Sequence, residues 1–153
     1  MPYSTSIMAS IHSKEAAIQA CRAEIARLEG LADRQQSSSR GFDGKAEEFE
    51  YAIGRKRRKA ERVADHAPES TLAGKFALQM DMAFSASSWN QQKGALMDIS
   101  ANMRRELAAT RAALDGERAR LACLQGELAA LNAQYGSALR REAQEAAAAS
   151  AGQ

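Results

Sequence analysis

The sequence predicts an all-α protein, an elongated antiparallel helical hairpin with coiled-coil character. Three observations support this fold class. Alanine, leucine, glutamate and arginine recur along a 153-residue chain that has only two prolines and 5% aromatic residues. Apolar residues repeat at heptad spacing in both halves, which is the pattern of a coiled-coil seam. No run alternates apolar and polar residues as a half-buried strand would. The length suits one domain.

The first arm of the hairpin is predicted over residues 11–66. The first ten residues are small and polar, so we expect a flexible N-terminus over 1–10. The segment QQSSSRGFDGK (35–45) contains three serines and two glycines, which predicts a break or bend near 38–44. The apolar residues that carry the heptad pattern are Ile11, Ile18, Cys21, Ile25 and Leu28.

The turn between the arms is predicted over residues 67–71. Pro68 ends the first arm, because proline lacks an N–H and disfavours helical geometry in the residue before it. Ser70 or Thr71 can then cap the next helix through a side-chain oxygen.

Leu72 and Gly74 open the second arm and are the candidate turn motif. We expect Leu72 to fold back across the turn as a hydrophobic plug. Gly74 would let the two backbones approach closely, at a cost in helix propensity of about 1 kcal/mol.

The second arm is predicted over residues 72–142, followed by an alanine-rich tail at 143–153. The polar segment SASSWNQQKG (85–94) contains a glycine, so a kink or break is expected there. Leucines and one tyrosine continue the heptad pattern: Leu107, Leu114, Leu121, Leu128 and Tyr135.

The second arm carries more large apolar residues than the first arm can cover. Methionine and tryptophan in excess of what the hairpin needs suggest a surface for another chain. We therefore expect the amphipathic helix of a protein partner, in a hetero- or homo-oligomer, to bury six residues: Phe76, Met80, Phe84, Trp89, Leu96 and Met103.

The most charged stretch is GRKRRKAER (54–62). It predicts either a surface for nucleic acid or an anionic membrane, or the solvated end of a helix, where positive charge is favourable. Flanking acidic residues, the absence of an interleaved aromatic and a net charge of only +2 favour the second interpretation and disfavour nucleic acid as a partner. The basic residues are Arg55, Lys56, Arg57, Arg58, Lys59 and Arg62.

The sequence offers no constellation for catalysis, a metal or a cofactor. Cys21 and Cys123 are too far apart for a metal-ligand pair and too few for a disulfide framework. His12 and His66 lack other ligands at suitable spacing. We therefore expect a protein that is not an enzyme. With no signal peptide and no membrane-spanning run, we expect a cytoplasmic protein, or one exported without a cleavable signal.

The stretch STLAGKFALQM (70–80) resembles a family motif. Helical hairpins of the type VII (Esx) secretion system carry W-x-G at their turn, and the longer YwqH-like proteins associated with LXG toxins begin their second helix with a pattern like S-T-W-x-G-x-x-A-x-x-F. Leu72 replaces the tryptophan here. Tyr135 lacks the acid four residues later that completes the family's export signal, since Leu139 stands there. The resemblance implies a partner or targeting chaperone in a type VII-like secretion module.

Two alternatives remain open. Rod-like stalk proteins of flagellar and type III export machines are also cytosolic antiparallel coiled coils of similar length and composition. Continuous arms, without a break at 38–44, would suit them better. A nucleic-acid-binding protein that uses the basic cluster is the other alternative.

Overall fold

The computed structural model describes residues 3–66, 71–83 and 86–152. Three α-helices account for all of these residues except Thr71 and Gly152: α1 (Tyr3–His66), α2 (Leu72–Ala83) and α3 (Ala86–Ala151). No described residue is in a strand. The long helices α1 and α3 pack against each other, so the all-α hairpin predicted from the sequence is confirmed.

The helices divide into two compact units. The first comprises Met1–Ala32 and Thr110–Gln153, and the second comprises Asp33–Ala109.

The first unit is held by a narrow apolar seam. Ile7 and Ile11 of α1 are buried against Ala138 of α3, and three partly buried residues complete this cluster. Further along, heptad positions on both helices are also buried, as the spacing predicts. The three partly buried residues are Leu128, Leu131 and Tyr135. The further buried positions are Ile18, Cys21, Leu28, Thr110 and Leu114.

Polar contacts across the first unit show that the helices are antiparallel. The Ser4 backbone N–H and hydroxyl donate to the Glu142 carboxylate at 3.0 and 2.8 Å, which lowers the pKa of Glu142. Lys14 pairs with Glu127, and this lowers the pKa of Glu127. Glu29 accepts a hydrogen bond from Arg118 at 2.9 Å. As residue numbers rise in α1, their partners fall in α3.

The second unit has the same antiparallel arrangement. The Asp43 carboxylate accepts hydrogen bonds from the Ser100 hydroxyl at 2.6 Å and from Arg104 at 3.0 Å. These bonds, chiefly the one from Ser100, lower the pKa of Asp43. The aromatic rings of Phe49 and Trp89 lie 6.0 Å apart.

The flexible N-terminus predicted over residues 1–10 is wrong for residues 3–10, while residues 1 and 2 lie outside the described residues. Residues 3–10 belong to α1, and both Ser4 and Ile7 are buried. The composition of this segment is polar, but Ile7 lies four residues before Ile11 and so extends the same apolar face. The hydrogen bonds from Ser4 to Glu142 hold the beginning of α1 against α3.

Of the break or bend predicted near 38–44, the break does not occur, because α1 is helical through residues 35–45. Serine and glycine lower helix propensity by up to about 1 kcal/mol each, but tertiary contacts override such preferences. Ser39 is buried and Asp43 bonds to two residues of α3. The buried residues Leu28, Ser39 and Ala60 also fit one heptad register, because Ser39 lies one heptad and four residues after Leu28, and Ala60 lies three heptads after Ser39.

The second arm consists of two helices. α2 begins at Leu72 and α1 ends at His66, as the predicted arm boundaries require. α3 begins at Ala86, inside the segment for which a kink or break was expected, and is helical through Gly94 and on to Ala151, beyond the predicted end of the arm at residue 142. Residues 84–85 and most of the turn, including Pro68 and Ser70, lie outside the described residues.

Candidate functional site

Thr71 caps the start of α2. Its side-chain hydroxyl accepts a hydrogen bond from the Gly74 backbone N–H at 3.1 Å, and its carbonyl accepts one from the Lys75 N–H at 3.0 Å. Thr71 therefore satisfies a backbone N–H that the first turn of a helix would otherwise leave without a partner. Of the two capping residues suggested by the sequence, Thr71 performs this role.

Leu72 does not act as a plug across the turn. Its side chain is 86% exposed, so that prediction is wrong. A leucine at the first helical position of α2 points away from the rest of its unit here. Gly74 is half-buried and has ordinary helical backbone geometry.

α2 carries an exposed apolar surface. At 100° per residue, Leu72, Phe76 and Met80 share one side of the helix, while Leu78 and Met82 lie on an adjoining side. Met80 is half-buried and the other four are exposed, at 86% (Leu72), 56% (Phe76), 63% (Leu78) and 69% (Met82). Large apolar residues thus cover more than half of the circumference of a 12-residue helix. We call these four exposed residues the α2 apolar surface.

Five of the six predicted partner-binding residues are described, and these five do not share one exposed surface. Phe76 is exposed on α2, and Met80 is half-buried beside it. Phe84 lies outside the described residues. The three others are on α3, and each is half-buried. They are Trp89, Leu96 and Met103.

Two of the three α3 residues face α1. The ring of Trp89 packs at a tilt against the ring of Phe49. Leu96 lines a cleft together with Ala46 and Glu50 of α1. These side chains contribute to the packing of the second unit rather than to a free surface. Leu72, Leu78 and Met82, which were not among the six predicted partner-binding residues, are exposed on α2 beside Phe76.

The six residues of the basic cluster are all exposed on α1. Arg57 pairs with Glu61 at 3.5 Å. The guanidinium carbon of Arg55 lies 5.6 Å from the centre of the Tyr51 ring, a cation–π arrangement. An aromatic residue therefore does accompany the cluster, because Tyr51 lies one helical turn before Arg55, outside the 54–62 stretch. A search at i, i+4 spacing would have found it.

The cysteines and histidines do not form a chemical site. The Cys21 thiol is buried and donates to Glu117 at 3.2 Å, and burial together with this carboxylate raises the pKa of Cys21. Cys123 is exposed. Among the residues that the structure describes, no group of His, Cys, Asp and Glu side chains could hold a metal ion. None of the described helices has the length and apolarity needed to cross a membrane.

Comparison with known proteins gives no relative. No protein-family model matches the chain, and neither a curated protein nor a solved structure is significantly similar to it.

Proposed function

We propose that this protein is a non-enzymatic helical adaptor that binds a helical partner chain through the α2 apolar surface. The observation that carries the proposal is the exposure of Leu72, Phe76, Leu78 and Met82 on one short helix. A helix that is apolar around most of its circumference is normally covered on most sides. Contiguous exposed apolar residues are typical of protein-interaction sites.

The energy available at this surface is substantial. Full burial of a Leu, Phe or Met side chain is worth about 1.5–3 kcal/mol. Scaled by their exposed fractions, the four side chains would together contribute about 4–8 kcal/mol. Association itself costs about 4–15 kcal/mol. A partner must therefore cover α2 and also contact neighbouring residues, which favours a long amphipathic helix over a short peptide.

A type VII-like secretion module is the setting that we propose for this adaptor. Its support is the resemblance of residues 70–80 to the family motif, together with the position of that motif at the start of α2. In this setting the chain would act as a partner or targeting chaperone, and the export signal would come from the chain to which it binds.

One observation favours a second candidate, a stalk component of a flagellar or type III export apparatus. α1 is helical through 38–44, and continuous arms suit stalk proteins. The exposed apolar residues of α2 favour the adaptor, because a stalk needs no such surface at the start of its second arm.

Co-expression tests the adaptor. The full chain would be produced with the helical proteins encoded by neighbouring genes and analysed by size-exclusion chromatography. We expect a stable complex that is lost when Phe76 and Leu78 are both replaced by glutamate. The matched control is glutamate at Leu139 and Ile99, which are exposed apolar residues of α3. Circular dichroism would check that both variants remain helical.

Three results would contradict the adaptor proposal. The first is a monomer with no co-purifying chain, and the second is equal loss of binding in both variants. Binding to an export ATPase that is insensitive to the Phe76 and Leu78 changes would be the third, and it would favour the stalk.

A further inference from the structure

Four basic side chains form one face of α1. Arg55, Arg58, Lys59 and Arg62 recur at positions i, i+3, i+4 and i+7, so they lie on the same side of the helix. All four are exposed, and buried Ala60 lies on a different side. We call these four residues the basic face.

The charges of the basic face are not neutralised within the described part of the chain. None of its four residues has an ion pair there. The neighbouring acidic residue Glu61 pairs with Arg57, which is not part of the basic face. Between Tyr51 and His66 there are six basic and two acidic residues, a local net charge of +4 in a chain whose total is +2. The positive charge of the protein is therefore concentrated at this place.

An aromatic residue extends the basic face by one helical turn. Tyr51 is exposed, and the Arg55 guanidinium lies over its ring at 5.6 Å. This contact restrains Arg55 while leaving its N–H donors accessible. A tyrosine hydroxyl is itself a donor that commonly contacts phosphate oxygens.

We propose that the basic face binds the phosphate backbone of a double-stranded nucleic acid. From Arg55 to Arg62 the helix rises about 10 Å, which is about three steps between neighbouring phosphates at about 3.4 Å of axis per step, so the face spans about four phosphates of one strand. Guanidinium groups match phosphate geometry with paired hydrogen bonds. The binding is independent of sequence, because backbone contacts alone carry no base information. This proposal does not depend on the adaptor function.

An anionic membrane is a poorer match to the same face. Helices that lie in a membrane interface place large apolar residues beside their basic ones. No Leu, Ile, Phe or Met lies within residues 54–62, so the basic face lacks the apolar residues that would enter a bilayer.

Binding of a labelled duplex to the full chain, followed by fluorescence anisotropy, tests the proposal. Four phosphate contacts predict a slope of about −3.6 for the logarithm of affinity against the logarithm of salt concentration. Affinity should therefore fall about a hundredfold between about 50 and 200 mM salt.

Two glutamine variants with the same change in charge provide the comparison, and circular dichroism would check that both are folded. The basic-face variant should lose at least tenfold in affinity at low salt, with a slope near zero, while the control stays within about threefold of the wild type. The basic-face variant carries Arg55→Gln, Arg58→Gln, Lys59→Gln and Arg62→Gln. The control carries Arg22→Gln, Arg34→Gln, Arg40→Gln and Arg140→Gln, at exposed positions elsewhere.

Three outcomes would overturn the proposal. One is an equal loss of affinity in both variants, which would reflect net charge alone. Another is duplex binding that does not change with salt. The last is tighter binding to vesicles of phosphatidylserine and phosphatidylcholine than to the duplex, lost only in the basic-face variant, which would make the face a membrane-binding surface.

Discussion

Gln35 provides a direct test of the packing of α1. Its side-chain carbonyl oxygen is buried, and no donor among the described residues reaches it. Gln35 lies seven residues after Leu28, so it occupies a seam position where an apolar residue is usual. We predict that Gln35→Met stabilises the protein, because methionine has a similar shape and removes the buried polar atom.

The expected gain follows from the cost of a buried acceptor. Leaving a buried polar group without a partner costs about 1–3 kcal/mol. Gln35 is only half-buried as a residue, so we take the lower part of this range, about 1–2 kcal/mol. Helix propensity contributes little, since glutamine and methionine are similar helix formers.

Urea unfolding followed by far-UV circular dichroism measures the change. With a slope of about 2 kcal/mol per molar urea, the midpoint of Gln35→Met should rise by about 0.5–1 M. The matched control is Gln92→Met at an exposed position of α3 in the same unit, expected within about 0.5 kcal/mol of the wild type. A fall in the midpoint for Gln35→Met, or equal shifts for both variants, would refute the reasoning.

Three further predictions concern other residues. Ser39 is 7% exposed, so Ser39→Ala removes a buried hydroxyl and should raise the urea midpoint. The increase should exceed that of Ser38→Ala, which changes only helix propensity at an exposed neighbour; equal midpoints would contradict this. The pKa of Asp43 is lowered in the folded protein, so the stability that its carboxylate contributes is present above the unfolded pKa of about 3.9 and is lost as the pH falls through the folded pKa. The difference in unfolding free energy between the wild type and Asp43→Asn should therefore shrink in acid. A difference that stays constant across a pH titration of stability would contradict this prediction. In thiol labelling followed by mass spectrometry, exposed Cys123 should react first. Cys21 should react only as the protein unfolds, because burial shields its thiol and raises its pKa. Early labelling of Cys21 would contradict its buried position.

The heptad pattern made most of the fold predictable from the sequence. Apolar pairs one heptad apart, such as Ile11 with Ile18 and Leu107 with Leu114, identify the buried faces of α1 and α3, and these four residues are buried. The errors arose where local composition was given more weight than register. Ser39 looks like a loop residue, yet it lies in step with the seam.

The N-terminal segment shows a different limit. Ser4 is a polar residue whose place in the helix depends on a carboxylate 138 residues away. No local pattern reveals such a contact, although Ile7, four residues before Ile11, does extend the apolar face into this segment. Contacts of this kind are visible only when the two helices are placed together.

The candidate surfaces could be only partly predicted for a related reason. A seam residue and a residue that binds another chain are both apolar and both recur at helical spacing. Trp89 and Phe76 therefore looked alike in the sequence, whereas the structure packs Trp89 against Phe49 and leaves Phe76 exposed. Whether such an apolar residue packs inside the hairpin or stays exposed depends on which side of its helix faces the neighbouring helix.

The unbroken register of α1 constrains how this protein can change in length during evolution. Deleting one residue just after Ile11 would rotate the later side chains of α1 by about 100°, which would turn the buried seam residues Ile18 and Leu28 of the first unit away from α3. Deletion of seven residues restores nearly the same orientation. Insertions and deletions that are tolerated within α1 should therefore occur in multiples of seven, matched by equal changes in the facing part of α3. Single-residue changes in length should be confined to the chain ends and to the connection between α1 and α2.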